Sequence, residues 1–548
     1  MAVLKIKHTL AVLAIVAAGC GEATDIREHA DEKPESGGTA VVGVASGATT
    51  ILPALAAAAL DFELGGNLFL PLNSASWKDG GLRYEAPHPL ALARGWTFGN
   101  DSSSLTYTLD TSHRWSDGQP VRAHDVVFTY QLLSDTVLAL PLSSTTERLD
   151  SVVVVNDSTV TFFFAQPYPG MLFDTGVGII PEHVYGTVPH EEMRGMPRYE
   201  GSAEKFVVSG PYALAEWQPT DRIILDRNPT SVAQPHLDRI VIRVLPEETA
   251  REAEIRSGGL DVAQVNSFRA AQRLDRDTTI QILRIQQRGF DYIAWNPAAH
   301  PAFTDHRVRR ALSLALDRSS LIEALDMRDY AEPAFGPYGS LFPQLASSPP
   351  ESLPFDPARA EALLDEAGWV DSDDDGVREK DDVPLSFTLS TTAGNERREA
   401  AVQIVQSQLA NVGVHAEVRV EEFRSLLGRA MARDYEAALL GWQIGLDPDI
   451  SMFWVDAESP FNLVGFVDHE VSALIDSAQS QATSESAAPY WRDAARRIAS
   501  EYPYAWLWFF DMPLAVGPRL RGVDADVTGF GAGMSVWWIP ADLRSEGR

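Results

Sequence analysis

The chain has 548 residues, 45% hydrophobic and 22% charged, a composition that builds packed cores and excludes the disordered and fibrous classes. Its 76 acidic and 45 basic side chains leave a net charge of −31, a field that repels phosphate backbones and argues against nucleic acid as a partner. The length sets a prior of about three to four domains.

The first stretch reads as an export address. Lys5 and Lys7 precede an apolar run from Leu10 to Ala18 that is too short to span a bilayer, and Ala17-Ala18-Gly19 offers small residues for cleavage. Cys20, the only cysteine, follows directly, as at a lipoprotein processing site, and a single cysteine rules out an internal disulfide. Acyl chains on it would gain about 0.8 kcal/mol per buried methylene, enough for several chains to anchor the protein to a membrane. Gly21 to Gly38 is poor in apolar residues and reads as a tether.

Thr39 to Ala45 is β-branched and predicts the first strand of the folded part. Leu105 to Leu109 alternates as a half-buried strand does, Asp117-Gly118 makes a turn closed by Pro120, and Asp125 falls in the first turn of a helix carrying Val126, Tyr130 and Leu133. Val152 to Val155 and Val160 to Phe164 flank Asn156-Asp157-Ser158 as a hairpin. His183 has no second His or Cys nearby and reads as structural. Leu237 to Leu245, Arg251 to Gly259 and Leu260-Asp261-Val262 give a strand, helix and strand, the order of an α/β sheet with parallel strands.

Farther on, Asp291 to Asn296 predicts a strand, and Arg307 to Leu325 one helix with Val308, Leu312, Ala315 and Leu316 on a single face. A Pro-rich loop over 331 to 354 precedes a helix at Pro357 to Glu366. Asp371, Asp373, Asp375, Gly376 and Asp382 match a calcium loop, with Asp where a bidentate Glu is usual, but a strand at Val383 to Leu389 follows in place of an exit helix. A helix through Leu409, a strand from Gly413 to Val420 and another from Tyr435 to Trp442 complete this half.

Trp115-Ser116-Asp117-Gly118, Pro120-Val121 and Asp125-Val126-Val127-Phe128 together closely resemble the signature of the family 5 solute-binding proteins, the extracytoplasmic receptors of ABC importers for peptides, nickel chelates and some oligosaccharides. Arg122 stands where members often carry a capping Thr. Ile180 to Tyr185, Val207 to Tyr212, Arg309 to Leu312, the aromatic stripe Tyr502 to Phe509 and Trp537-Trp538 resemble further landmarks, so the likeness runs from about 39 to 540.

The resemblance implies an α/β, two-lobed periplasmic-binding-protein fold (class II, type 2) with an extra domain inserted in the N-terminal lobe. On that plan residues 1–19 are a signal peptide and 20–38 the lipidated Cys and tether. Lobe I takes 39–64, 204–282 and 508–548, the inserted domain 65–203, and lobe II 283–507.

It also implies a receptor that captures peptides by hinge closure and delivers them to a membrane permease, on the periplasmic or cell-surface side, as a monomer with no cofactor and no catalytic residue. In peptide-binding relatives the loop after the strand at Tyr435 to Trp442 carries a Trp and then an Asp that pairs with the ligand's ammonium. Trp442 matches the Trp, Gly445 falls at the place of the Asp, and Asp447 before Pro448 is the carboxylate that remains. Ile51-Leu52-Pro53 lacks an Asp often seen there, and Phe69 is a candidate for the cleft wall, with a core position as the alternative.

The expected site is therefore Trp442, Asp447 and Phe69, with Cys20 as lipid anchor and Asp371, Asp373, Asp375 and Asp382 as a weaker calcium candidate. A sugar or metal chelate would lean on aromatic faces such as Trp442. An exported hydrolase is the rival class; the chain has no G-x-S-x-G and no H-E-x-x-H, although dispersed carboxylates could pair.

Overall fold

Two long strands, Gln281–Trp295 and Tyr504–Val516, lie antiparallel at the centre of an 11-stranded sheet and carry the chain from one half of the protein to the other. The computed structural model describes residues 32–193, 206–346 and 355–544; the export address, Cys20 and most of the tether lie outside the described residues. Met1–Pro34 form one unit and Glu35–Arg548 another, and all that follows concerns the second.

From one edge the sheet runs His415–Glu421, Ser386–Thr392, Ala437–Gln443, the two crossing strands, Val262–Gln264, Thr39–Val44, Arg239–Val244, Arg222–Arg227 and Tyr212–Gln218, and the eleventh strand, Ala331–Pro333, pairs off this path with Tyr504–Val516. Thr39–Val44 pairs in parallel with both Arg239–Val244 and Val262–Gln264, as the strand-helix-strand pattern predicts. It is buried along its whole length, which explains why it reads as a continuous apolar run rather than an alternating one. Ser386–Thr392 is likewise parallel to both of its neighbours, so each half has a parallel core.

The crossing strands lose register between Gln286 and Phe290, where Gln287, Arg288 and Gly289 face a shorter stretch of the partner. Beyond the break, Gly289 to Trp295 pairs with Ala437–Gln443; before it, the partner strand pairs through Leu514 to Val516 with Val262–Gln264. A bulge at this point kinks the ladder between the halves.

A separate four-stranded antiparallel sheet, Ala93–Phe98, Ser104–Leu109, Thr159–Phe164 and Leu149–Asn156, carries the signature block. The helix Ala123–Leu133 starts without a side-chain cap on Arg122, and Asp125 compensates: its Oδ2 accepts the Arg122 amide at 2.8 Å and the Trp115 indole at 3.3 Å, and its Oδ1 the Glu182 amide at 2.9 Å. The motif thus holds the turn, helix and Ile180–Tyr185 segment together through one buried carboxylate. His183 bonds Asp117 at 2.8 Å, a structural role.

Residues Arg307 to Leu325 are two helices, His306–Leu314 and Arg318–Ala324. Asp317 caps the second through the Ser320 amide at 3.0 Å, and buried Arg318 donates to the carbonyls of Ser313 at 3.0 Å and Trp506 at 2.7 Å. The guanidinium satisfies a carbonyl freed where the first helix ends, so apolar periodicity continues across a real break.

Asp61 organises the loop that leads into the helix Ala59–Leu68. Its carboxylate accepts the amides of Thr49 at 2.8 Å, Ala57 at 3.2 Å and Ala58 at 3.0 Å and the Thr49 hydroxyl at 2.7 Å, while the side chain is 1% exposed. Asp61→Ala strands these buried donors, and a loss of about 2–4 kcal/mol is expected in urea titrations. Unchanged stability would show that the loop finds other acceptors.

Candidate functional site

A cavity of about 610 Å³ opens between two walls, one from residues 79–173 and the other from residues 342–488. One wall is built by the hairpin Ser74–Lys78/Gly81–Glu85, by Trp96 and Phe98 of the four-stranded sheet, and by Tyr168-Pro169-Gly170 with the short helix after it. The other is built by Phe342 to Leu345, Leu446-Asp447-Pro448 and the start of the helix Ser484–Glu501.

Contacts across the gap hold the walls together. Gln344 donates to the Gly80 carbonyl at 2.6 Å, Trp77 meets Phe342 edge-on at 5.3 Å, and Arg148 lies 3.6 Å from Asp449. Gly80 sits at φ +74 against Pro343, where a Cβ would approach to 2.3 Å, so both its conformation and its contact require glycine. Ion pairs at such part-exposed positions contribute little each; the apolar contact does more.

Asp447 lines the cavity. Burial pushes its carboxyl up to about 6, with Asp449 adding to the rise and the Asp449 amide and Arg148 opposing it. The Pro448 carbonyl accepts the buried Tyr338 hydroxyl at 2.5 Å, which fixes the turn that presents Asp447. Gly170 faces it: a Cβ there would lie 2.7 Å from Asp447 Oδ2 and 3.0 Å from the Tyr168 ring.

Trp442 is half-buried at the end of Ala437–Gln443 and is not among the residues that line this cavity. It packs at 5.0 Å from Phe453 and 6.3 Å from Tyr292, which stacks on Tyr504 at 4.1 Å. Phe69 is 0% exposed and belongs to the core of the first half, so its side chain does not form a cleft wall in this conformation. The candidate cleft residue is a packing residue here because its segment turns inward after the helix Ala59–Leu68.

Asp371, Asp373 and Asp375 bring carboxylate oxygens within 4.8 Å of one another on the surface, but Asp382 is not part of the group. Asp381 and Asp382 instead form the two-residue turn of the hairpin Glu379–Lys380/Val383–Pro384, both with positive φ, +52 and +62. The Gly376 amide donates to Asp371 at 3.0 Å and the Val377 amide to Asp375 at 2.8 Å, so these carboxylates already serve the loop's own backbone.

Tyr84, Trp96, Tyr168, Gly170 and Phe342 are cavity residues that sequence reasoning did not single out. Tyr84 and Trp96 lie within the short strands Gly81–Glu85 and Ala93–Phe98 and the other three in loops, with no periodicity that marks a cavity; Tyr168-Pro169-Gly170 was the one usable cue, an aromatic beside two turn formers. Among the described residues no helix is long and apolar enough to cross a membrane.

Comparison with known proteins agrees with this architecture. The family model described as bacterial extracellular solute-binding proteins, family 5 Middle, matches residues 87–461. The chain is 27% identical over 440 residues to the oligopeptide-binding protein AppA of Bacillus subtilis (strain 168), covering 78% of this chain and 79% of that protein. The solved structure of Bacillus subtilis AppA in complex with a nonapeptide superposes with a TM-score of 0.74 at 25% identity, over 93% of this chain and 100% of that one. NikZ from Campylobacter jejuni, solved with Ni(L-His), shares the fold at a TM-score of 0.75 and 22% identity, over 91% and 99% of the two chains. With more than half of its length matched by the family model, and with two halves joined by crossing strands, the chain belongs to the bacterial extracellular solute-binding proteins of family 5.

Proposed function

We propose that this protein is the peptide-binding receptor of an ABC importer, holding its ligand in the cavity between the two walls and passing it unaltered to a membrane permease. The observation that carries this reading is the position of Asp447: an enclosed carboxylate on one wall, facing aromatic side chains and Gly170 on the other. Such a site suits a positively charged group attached to an apolar body. The similarity to an oligopeptide-binding protein supports the ligand class.

On this reading lobe I comprises 39–64, 204–282 and 508–548, the inserted domain 65–203 and lobe II 283–507, and they pivot at the register break near Gln286 to Phe290. A ligand that touches both walls binds the closed form better and shifts the equilibrium toward it. Trp442 packs on Tyr292 and Phe453 outside the residues lining the cavity, so it would reach a ligand only in another conformation. Cys20 carries the lipid that keeps a monomeric receptor beside its permease.

Native mass spectrometry of protein purified without refolding tests the proposal. Co-purified peptide, and a melting temperature that rises with added peptide as expected for a ligand of the folded state, are the expected results. A retained sugar or metal chelate would reassign the ligand class, and a retained compound found cleaved would favour a hydrolase.

A further inference from the structure

The two walls of the cavity touch at three places around it. At the tip of the hairpin Ser74–Lys78/Gly81–Glu85 the Gly80 backbone lies against the Pro343 ring with no room for a Cβ, which would come to 2.3 Å, and Gln344 donates to the Gly80 carbonyl at 2.6 Å. Arg83 of the same hairpin lies 3.6 Å from Glu485 in the first turn of the helix Ser484–Glu501. Beside Tyr168, Gly170 approaches Asp447 so closely that a Cβ would stand 2.7 Å from its Oδ2, and Arg148 lies 3.6 Å from Asp449. Gly80, Arg83, Gly170, Gln344, Asp447 and Glu485 all line the cavity, so these contacts form its rim.

Because the walls already meet at that rim, the volume of about 610 Å³ is the space left after they have closed on one another, and it bounds the size of a ligand. At about 20–30 Å³ for each non-hydrogen atom, the upper figure being the share of one water in the liquid, it holds about 20–30 such atoms. That is a peptide of two to four ordinary residues, whereas nine residues carry about three times as many atoms. The lining suits apolar side chains: Tyr84, Trp96, Phe98, Tyr168 and Phe342 present aromatic surface, and the rim charges Arg83 and Glu485 engage each other. An exposed ion pair of that kind is weak by itself. The close packing at Gly80 and Gly170 is what a longer main chain has to undo.

We propose that this site is built for short peptides, two to four residues long with apolar or aromatic side chains, and that the wall-to-wall contacts of Gly80 with Gln344 and of Arg83 with Glu485 set the upper limit of length. A longer chain parts the walls and so forfeits the closed form that holds it. The inference rests on the receptor reading and on this cavity being the ligand site.

Calorimetry on the full chain tests it with randomised peptide pools of two, three, four, six and nine residues. The tightest binding is expected among the three short pools, with affinity lower by about tenfold or more at six and nine residues. Gln344 and Glu485 are exposed, so the double variant Gln344→Ala/Glu485→Ala should keep the wild-type melting temperature within a few degrees. In it the ratio of three-residue to six-residue affinity should fall by about threefold or more, because the rim opens more easily. A six- or nine-residue pool bound within about threefold of the best short pool overturns the length limit while leaving the receptor reading intact. An unchanged ratio in the double variant overturns the role given to the rim. Binding of no pool removes the peptide-receptor reading and this inference with it.

Discussion

Asp291→Ala is expected to cost about 3–5 kcal/mol of stability, the largest loss from any single substitution considered in this chain. Asp291 is 0% exposed on the first crossing strand, and its carboxylate accepts from Arg397 at 2.9 Å, Arg398 at 3.0 Å and the Trp508 indole at 3.0 Å. It therefore ties both crossing strands to the helix Glu396–Ala410. Removing it leaves two guanidiniums facing each other across an apolar gap, one of them 4.0 Å over the Phe510 ring.

The same site predicts a pH dependence with a definite sign. Burial pushes the Asp291 carboxyl up, but the Arg397 and Arg398 guanidiniums outweigh burial and hold it below its ordinary value of 3.8. A lowered folded-state value means that the contribution is present above pH 3.8 and is lost as pH falls through the still lower folded value. Urea titrations followed by tryptophan fluorescence at pH 7 and pH 3 should show the wild type and Asp291→Ala far apart in the first and closer in the second. Gly441→Ala should reproduce much of the loss, because a Cβ there would fall 2.2 Å from Arg398 Nη2 and 2.5 Å from Asp291 Oδ1. A difference under about 1 kcal/mol at pH 7 would mean the ion pairs are replaceable.

Gly170→Leu is expected to abolish ligand capture, by about a hundredfold or more in affinity, and to lower the melting temperature of the empty protein modestly, because the wedge strains the contacts that hold the walls together. Gly170 has an ordinary negative φ, −83, so the reason for glycine is space and not backbone conformation. Its missing side chain is what lets Asp447 approach Tyr168; a leucine would fill the cavity and wedge the walls apart. Fluorescence binding assays with co-purified ligand check the affinity, and small-angle scattering checks closure. Affinity within threefold of wild type would place the ligand elsewhere. An alanine at the same position should show an intermediate loss, since its single methyl group meets the same two atoms.

Much of the architecture was legible because it rests on repeated local signals. The buried parallel strand Thr39–Val44 and the strand-helix-strand run ending at Val262 announce themselves by apolar pattern, whereas the recrossing strand Tyr504–Val516 was reached through the family resemblance of its aromatic stripe. Asp447 came into view only through the resemblance, as the carboxylate left in the loop after Trp442 once Gly445 occupies the place of the relatives' Asp, and it does line the cavity. The rest of the cavity was not legible, because Tyr84, Tyr168 and Phe342 come from segments far apart in sequence that line one cavity only once the chain has folded. Periodicity carries no information about such meetings. The break between His306–Leu314 and Arg318–Ala324 escaped notice for a related reason: the apolar positions stay in phase while a buried arginine replaces the missing helical bonds.

The topology of the first half has a consequence for how the chain is made. Val262–Gln264 receives its second neighbour only from Leu514 to Val516, and Arg519, donating to Asp261 Oδ2 at 2.6 Å and to the Thr39 carbonyl at 3.0 Å, fastens the beginning of the sheet to its end. The N-terminal half therefore stays unfinished until residues up to Arg519 have been synthesised. Pairings of such long sequence separation form slowly, so the first half of the sheet is the part of the chain expected to become compact last.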